Sequence, residues 1–514
     1  STLSSSSAAS DVYKRQMFDQ LNGMFSFAIY DKLDQSILIC RDRLGIKPLY
    51  YYYDGTRFIF SSEIKSILTN NISTKLDEQS INDYLLIGYV PRQNTIYKNI
   101  KKLLPGHYLK INKDGLNIKK WWSLKRNFSY GKDRKKVSSD ELINIFDDSV
   151  KLRMRSDVPV GTFLSGGVDS SLITATASNF TDKKLNTFSI KYSKAVVDET
   201  KYSNMVSKKF HTNHILELLD FNLFNQLAPQ LIWQADQPTS DSTIVPHYLV
   251  SQIASQKVKV CLSGLGGDEL FGGYQRYIGN RMGRGWLKYL FNDKENLAKQ
   301  LGKVLGPFFP RVGKQLNMIS KDNLLWTEHF IKVNSGYFSK QDLQNLGINS
   351  SIRYETILED IWKKYDRYDN VSRRQFVDLN TYLPDQLLSF TDTMSMACSL
   401  EVRVPFLDHR LISLAGRISG HQKNDINDRH TFKQFLKSAL GDRVPEKIIN
   451  RKKQGFVPPV VNWIIQDDFF NSLKNLPNKL KDVFDPAYVS KLVSTKESVF
   501  YNHRRVWSLI CFYI

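Results

Sequence analysis

The stretch PVGTFLSGGVDSS (Pro159–Ser171) decides how the rest of the chain is read. Its first half is a short apolar run, which predicts a buried strand. Ser165-Gly166-Gly167 turns the chain, and a helix starts after it. Glycines after a buried strand let the backbone approach an anion closely. The helix that follows offers unbonded N–H groups and the positive end of its dipole. Hydroxyls of Ser165, Ser170 and Ser171 add donors, and Asp169 is placed to hold Mg²⁺ on phosphates. The loop matches neither GxxxxGK[ST] nor GxGxxG, so it is neither a Walker A loop nor a Rossmann fingerprint.

A second glycine loop, SGLGGDELFGGY (Ser263–Tyr274), follows another buried run, VKVCLSG (Val258–Gly264). Both loops are therefore expected at one edge of a sheet, where open α/β sheets place ligands. There Asp268 and Asp169 could share a metal. TFSIKY (Thr187–Tyr192) is a further buried-strand candidate, and strands alternating with helices predict a parallel sheet covered on both faces. Beyond Leu270 the pattern is mostly helical.

Upstream, MFSFAIYD (Met24–Asp31), ILICRDR (Ile37–Arg43), LYYYYD (Leu49–Asp54) and RFIFSSE (Arg57–Glu63) are short β-rich runs, expected as an antiparallel meander. LLPGHYLKINKDGLNIKKWW reads as a hairpin turning at Lys113-Asp114-Gly115. The expected organisation is a tail over 1–16, disordered or foreign to the fold, then a β-rich domain over 17–122. A linker over 123–137 leads to an α/β domain over 138–514. Ser138 or Ser139 is expected to cap the helix that opens the last of these, with Glu141 close behind.

The chain has 514 residues, of which 41% are hydrophobic, 12% aromatic and 24% charged. That mix excludes wholesale disorder and collagen-like chains. No apolar run approaches the roughly 18 residues that cross a bilayer, so no membrane partner is expected. Lys and Arg number 72 against 51 Asp and Glu, a net charge of +21. The basic residues are scattered among acids, apart from Lys132–Lys136 and Arg451–Lys453. There is no basic tail or recognised RNA-binding motif, so the charge reads as surface and no nucleic-acid partner is expected. Cys40, Cys261, Cys398 and Cys511 lie far apart with no CxxC pair, which suits a reducing, cytoplasmic location.

The ordered set SGGVDSS, SGLGGDELFGGY, LEVRVPFLDHR (Leu400–Arg410) and RKKQGF (Arg451–Phe456) resembles the glutamine-hydrolysing asparagine synthetases, members of the N-type ATP pyrophosphatases. GMFSFAIYD, RDRLGIKPLYY and FSSEIKSIL resemble the second half of that family's class II glutamine amidotransferase domain. The resemblance implies a partial Ntn-type αββα domain followed by an α/β ATP pyrophosphatase domain with a helical extension. It implies ATP and Mg²⁺ as cofactors, aspartate or another carboxylate as acceptor, ammonia or glutamine as nitrogen source, and is compatible with a homodimer. In such enzymes the acceptor carboxylate attacks the α-phosphate of ATP, pyrophosphate leaves, and ammonia displaces AMP. Leu164, Ser165, Gly166, Gly167, Asp169, Ser170 and Ser171 match phosphate-loop positions. Ile190, Ser263 and Gly264 match adenine- and ribose-side positions. Lys453 matches a lysine that steadies the phosphates in the adenylylation transition state. Asp236, Asp241, Asp385 and Asp392 fall in the acceptor-binding stretch, where capping or ion-pair roles compete with substrate binding.

Two departures from the family pattern stand out. Leu265 occupies a position that is acidic in well-known members, and Thr393 one that often carries Arg or Lys. The resemblance implies amidation of aspartate to asparagine through β-aspartyl-AMP. The two departures weaken aspartate more than ATP-dependent amidation. They leave as alternatives a related amidotransferase with another carboxylate acceptor or, from Leu265 and a missing nucleophile, a nucleotide-binding, non-catalytic homologue. The resemblance also calls for an N-terminal cysteine nucleophile whose own amine is the base. No such cysteine precedes GMFSFAIYD. Cys40 is internal and is expected to be a core thiol, so the chain is expected to lack the start of its glutaminase domain and to use ammonia only.

Overall fold

The structure, a computed structural model, describes residues 16–127, 136–193, 199–277, 300–301, 304, 337–348, 353–424, 432–451 and 458–513. In the N-terminal part, β1 (Ser26–Asp31), β2 (Ser36–Arg41), β6 (His107–Asn112) and β7 (Gly115–Lys120) form an antiparallel sheet in the order β1-β2-β6-β7. A second sheet holds β3 (Tyr50–Tyr53), β4 (Phe58–Ser61) and β5 (Ile100–Lys102) in the order β4-β3-β5. The single meander expected from the sequence is thus split in two. The cause is Asp42, fully buried just after β2. Its carboxylate accepts the N–H groups of Leu44 (3.0 Å), Ile46 (3.0 Å) and Lys47 (2.9 Å), which turns the chain out of the first sheet before β3 begins. The hairpin at Lys113-Asp114 joins β6 to β7 as the turn chemistry requires.

In the second part, α1 (Ser139–Met154) is capped by Ser138, whose side chain accepts the Glu141 N–H at 3.0 Å. β8 (Val160–Phe163), β9 (Asn186–Tyr192), β10 (Asn213–Leu219), β11 (Val260–Leu262) and β12 (Glu401–Arg403) then make one parallel sheet. Its order is β10-β9-β8-β11-β12. Thr187, Phe188, Ser189 and Ile190 of β9 are all buried. Successive side chains on a strand point to opposite faces, so both faces of the sheet are covered. Helices α2 (Val168–Ser178) and α3 (Ile244–Ser255) contribute Leu172, Ile173, Ile244 and Val245 to that cover, none with measurable exposure. Among the described residues no helix is long and apolar enough to cross a membrane.

The two parts are joined by carboxylates of the second paired with groups of the first. Asp385 receives the Lys102 ammonium (3.0 Å) and the Arg92 N–H (2.6 Å). Asp392 pairs with Lys47 at 2.7 Å, and Asp236 with Lys65 at 3.0 Å while also accepting the Ile64 N–H at 2.7 Å. Asp408 accepts from Asn22 (3.1 Å) and Arg153 (2.7 Å). Lys102 and Asp385 keep only 6% and 4% of their side-chain surface, so neither charge is solvated if the other is lost. Removing one partner, as in Lys102→Met, should therefore destabilise the protein by about 3–5 kcal/mol. The double replacement Lys102→Met/Asp385→Leu should recover most of that loss, read as paired denaturation midpoints.

Candidate active site

Strands β8, β9 and β10 are laid down in one direction across the sheet, and β11 and β12 in the other, on the far side of β8. The order reverses between β8 and β11, and a crevice opens beyond the carboxyl ends of strands at such a reversal. Both glycine loops lie there, one after each of these two strands.

The first loop is held by its neighbours. The Leu164 N–H donates to the Phe188 carbonyl at 2.8 Å, and the Ser189 hydroxyl donates to the Leu164 carbonyl. Gly166 has φ 73°, and a Cβ there would stand 2.6 Å from the Ser203 backbone nitrogen. No other residue fits without moving the helix behind it. Gly167 is the N-cap of α2, and Val168, Asp169 and Ser170 of its first turn line the crevice. Ser165 Oγ lies 3.1 Å from Ser170 Oγ. In the second loop, a Cβ on Gly264 would come within 3.0 Å of Asp169 Cβ and 3.1 Å of the Ser170 nitrogen. The two loops are therefore in contact, and glycine is what permits it.

A cavity of about 410 Å³ opens at this contact. It is lined by Leu164, Ser165, Gly167, Asp169, Ser170, Ile190, Ser263, Gly264, Leu265 and Asp268. Gly166 and Ser171 stand off it: Gly166 shapes the turn, and Ser171 is fully buried in α2. Lys453 lies outside the described residues. Of the four aspartates in the acceptor-binding stretch, only Asp241 reaches the cavity. Asp236, Asp385 and Asp392 are the docking carboxylates of the preceding section.

A family description for asparagine synthase matches residues 141–513, and one for a glutamine amidotransferase domain matches residues 8–122. The chain belongs to the asparagine synthase family. It is 30% identical to "Asparagine synthetase [glutamine-hydrolyzing] 1" of Bacillus subtilis (strain 168), over 98% of this chain and 78% of that relative. Against "Putative asparagine synthetase [glutamine-hydrolyzing] 2" of Methanocaldococcus jannaschii the identity is 36%, over 77% of each chain. A more distant relative, 23% identical over 88% of this chain and 72% of its own length, is "Amidase chry2" of Gibberella zeae.

Several groups that sequence reasoning missed complete this asparagine synthase-type site. The Lys433 ammonium contacts the Asp169 carboxylate and lies 2.5 Å from that of Asp268. Burial works against its charge, but the two carboxylates more than offset that and hold the lysine above its usual range. Its backbone is left-handed, with φ 55°, a conformation that costs a non-glycine residue of order 1–3 kcal/mol. Arg451 donates to the Gly166 carbonyl at 2.8 Å, pairs with Glu199, and lies 4.2 Å over the Tyr202 ring. The cavity is also lined by His247, Glu269, Tyr274, Tyr382 and Phe390. His247 lies with Nδ1 2.8 Å from the Thr243 carbonyl, so Nδ1 carries the proton in the neutral ring. Burial, and then the neighbouring Asp268, push the Glu269 carboxyl up to about 7, while the Tyr274 hydroxyl donates to it at 2.7 Å. Arg451 belongs to the RKKQGF run and could have been found from it. Lys433 carries no local signal, because its partners are 264 and 165 residues away in the chain.

The oxygens of Asp169 and Asp268, close enough to share one ammonium, form a hard donor pair suited to Mg²⁺. Among the described residues no cluster of three or more His, Cys, Asp or Glu forms a metal site. One or two carboxylates plus substrate phosphates is the usual way Mg²⁺ is held, so the residues present fit it.

Cys40 is fully buried in the N-terminal part, and burial, with Asp42 adding to it, pushes its thiol up to about 12. It is a core thiol. Ellman's reagent should leave Cys40, Cys261 and Cys511 unmodified in the native protein and titrate all four cysteines after denaturation. Glu269 makes a pH prediction. Its folded pKa, about 7, lies above the ordinary value of 4.5, so the native state holds the proton more tightly than the unfolded chain. Stability should therefore fall as pH rises from about 4.5 to about 7, by on the order of 3 kcal/mol for this group. Glu269→Gln should flatten that part of the profile.

Proposed function

We propose that this chain activates a carboxylate by adenylylation and passes the acyl group to ammonia, with aspartate as acceptor and asparagine as product. ATP-dependent amidation is the general chemistry of the family, and the observation that carries the reading to this chain is the contact of the two glycine loops at the β8–β11 reversal. That contact makes a crevice with an anion-binding edge and a second, largely aromatic wall. ATP lies along the phosphate loop, its triphosphate against the N-terminal end of α2 and the hydroxyls of Ser165 and Ser170. Leu164, Ile190, Ser263 and Gly264 line the nucleoside side.

The acceptor carboxylate then faces the α-phosphorus from the wall of Tyr274, Tyr382 and Phe390. Its oxygen bonds to phosphorus as the bond to pyrophosphate breaks; ammonia next adds to the activated carbonyl, AMP leaves with the C–O bond electrons, and the nitrogen gives up one proton to water. No protein nucleophile is needed. The residues contribute positioning and charge neutralisation, which suffice for transfers of this kind. Asp169 and Asp268 would hold Mg²⁺, which neutralises phosphate charge as pyrophosphate departs. Lys453 is assigned, from its motif, the role of steadying the phosphates. Ammonia is the nitrogen that adds to the activated carbonyl, and Cys40, sealed and strongly disfavoured as a thiolate, takes no part in releasing it.

A second reading keeps the reaction and changes the acceptor. Leu265 lines the cavity with an apolar side chain, as do Leu387 and Phe390. Such a wall favours a carboxylate attached to a bulkier or less charged group than free aspartate.

Incubation with ATP, Mg²⁺, ammonium and a panel of carboxylates that includes aspartate should release AMP and pyrophosphate in equal amounts. The carboxylate that gives the largest kcat/KM identifies the acceptor. Asp169→Asn should lower the rate by at least about a hundredfold. No AMP with any carboxylate would end the adenylylation reading.

A further inference from the structure

Lys433 has no part in the mechanism above. It keeps 6% of its side-chain surface, contacts one carboxylate in the first turn of α2 and one in the second glycine-rich segment, and comes from a third segment of the chain. Its place is built. The Lys433 N–H donates to Asn424 Oδ1 at 3.3 Å. A Cβ on Gly273 would stand 2.4 Å from Lys433 Cε, so the missing side chain there is what lets the lysine stem pass.

We propose that Lys433 is the resident cation of the seat between Asp169 and Asp268 in the nucleotide-free protein, so that the seat refuses a divalent cation arriving alone and admits one only together with nucleotide phosphate. The proposal rests on the ATP reading of the preceding section and assigns Lys433 to positioning, not to the chemical steps.

The argument is one of charge and space. An ammonium and a divalent cation cannot share the same two carboxylates at contact distance, since like charges repel strongly in a site with little water. A metal ion arriving alone must displace Lys433 and leave a buried ammonium stripped of both counter-charges. A metal ion arriving on a triphosphate brings anionic oxygens that take over the displaced ammonium. Metal and nucleotide are then coupled, and such coupling is reciprocal.

The test uses Mn²⁺ as the metal probe, titrated without nucleotide and followed by its free spin-resonance signal. Wild type should bind Mn²⁺ weakly. Lys433→Gln should bind one Mn²⁺ at least about tenfold more tightly, because the seat then holds two carboxylates without their ammonium. Lys433→Arg, which keeps the charge, should bind Mn²⁺ as weakly as wild type. Tight, stoichiometric Mn²⁺ binding to wild type without nucleotide overturns the proposal, whether or not the glutamine variant folds. Equal affinity of wild type and Lys433→Gln overturns it too. A separate arm, calorimetry of Mn·ATP with wild type, checks the underlying reading. Absence of heat there would remove the ATP assignment, while the metal-only titration would still report whether Lys433 blocks the seat.

Discussion

Strand β11 pairs with β8 in parallel register, Val260 beside Val160, although 100 residues separate them. Nearly everything else in the structure depends on that pairing. It puts the strand order into reverse, opens the crevice beyond the strand ends, and brings two glycine loops to the same place. Gly264 lies against Asp169, and only the lack of a side chain allows it. A parallel pair of this kind exists only because helices cover both faces and exclude water from the strands.

Charge in the protein falls into two groups with different work. Asp236, Asp385, Asp392 and Asp408 are partly or wholly desolvated, each with a cationic partner, and three of those partners are N-terminal lysines. These pairs bring specificity of docking more than net stability, because burial offsets much of what the attraction supplies. Asp169 and Asp268 instead face a cavity and share one ammonium between them. The first group locks the N-terminal sheets to the α/β domain. The second leaves a cation seat whose occupant can be exchanged.

Much of this was legible from local pattern. PVGTFLSGGVDSS predicts a strand, a turn and a helix, and these are β8, the Gly166 turn and α2. Ser138 caps its helix by the Glu141 N–H, as its position before an amphipathic run implies. Cys40 is a core thiol, as its place in a predicted strand suggested. Other expectations were changed. The N-terminal runs are two sheets and not one meander, because Asp42 gathers three N–H groups that a meander would have left to strand pairing. Ser171 sits in the core of α2 and not at the cavity. For Asp236, Asp385 and Asp392 the ion-pair role, weighed against substrate binding from the sequence, is the one found, with lysines 171 to 345 residues upstream.

Sequence alone determined the elements and the chemistry of each loop, because both follow from contacts among residues a few positions apart. Periodicity sets strand or helix, and glycine spacing sets where backbone N–H groups become available. Tertiary structure alone decided which charges meet. Lys433 reaches Asp169 and Asp268, and Arg451 reaches Gly166 and Glu199, across distances in the chain that no spacing rule spans. Those encounters depend on a close-packed interior in which the position of one side chain is settled by all its neighbours at once.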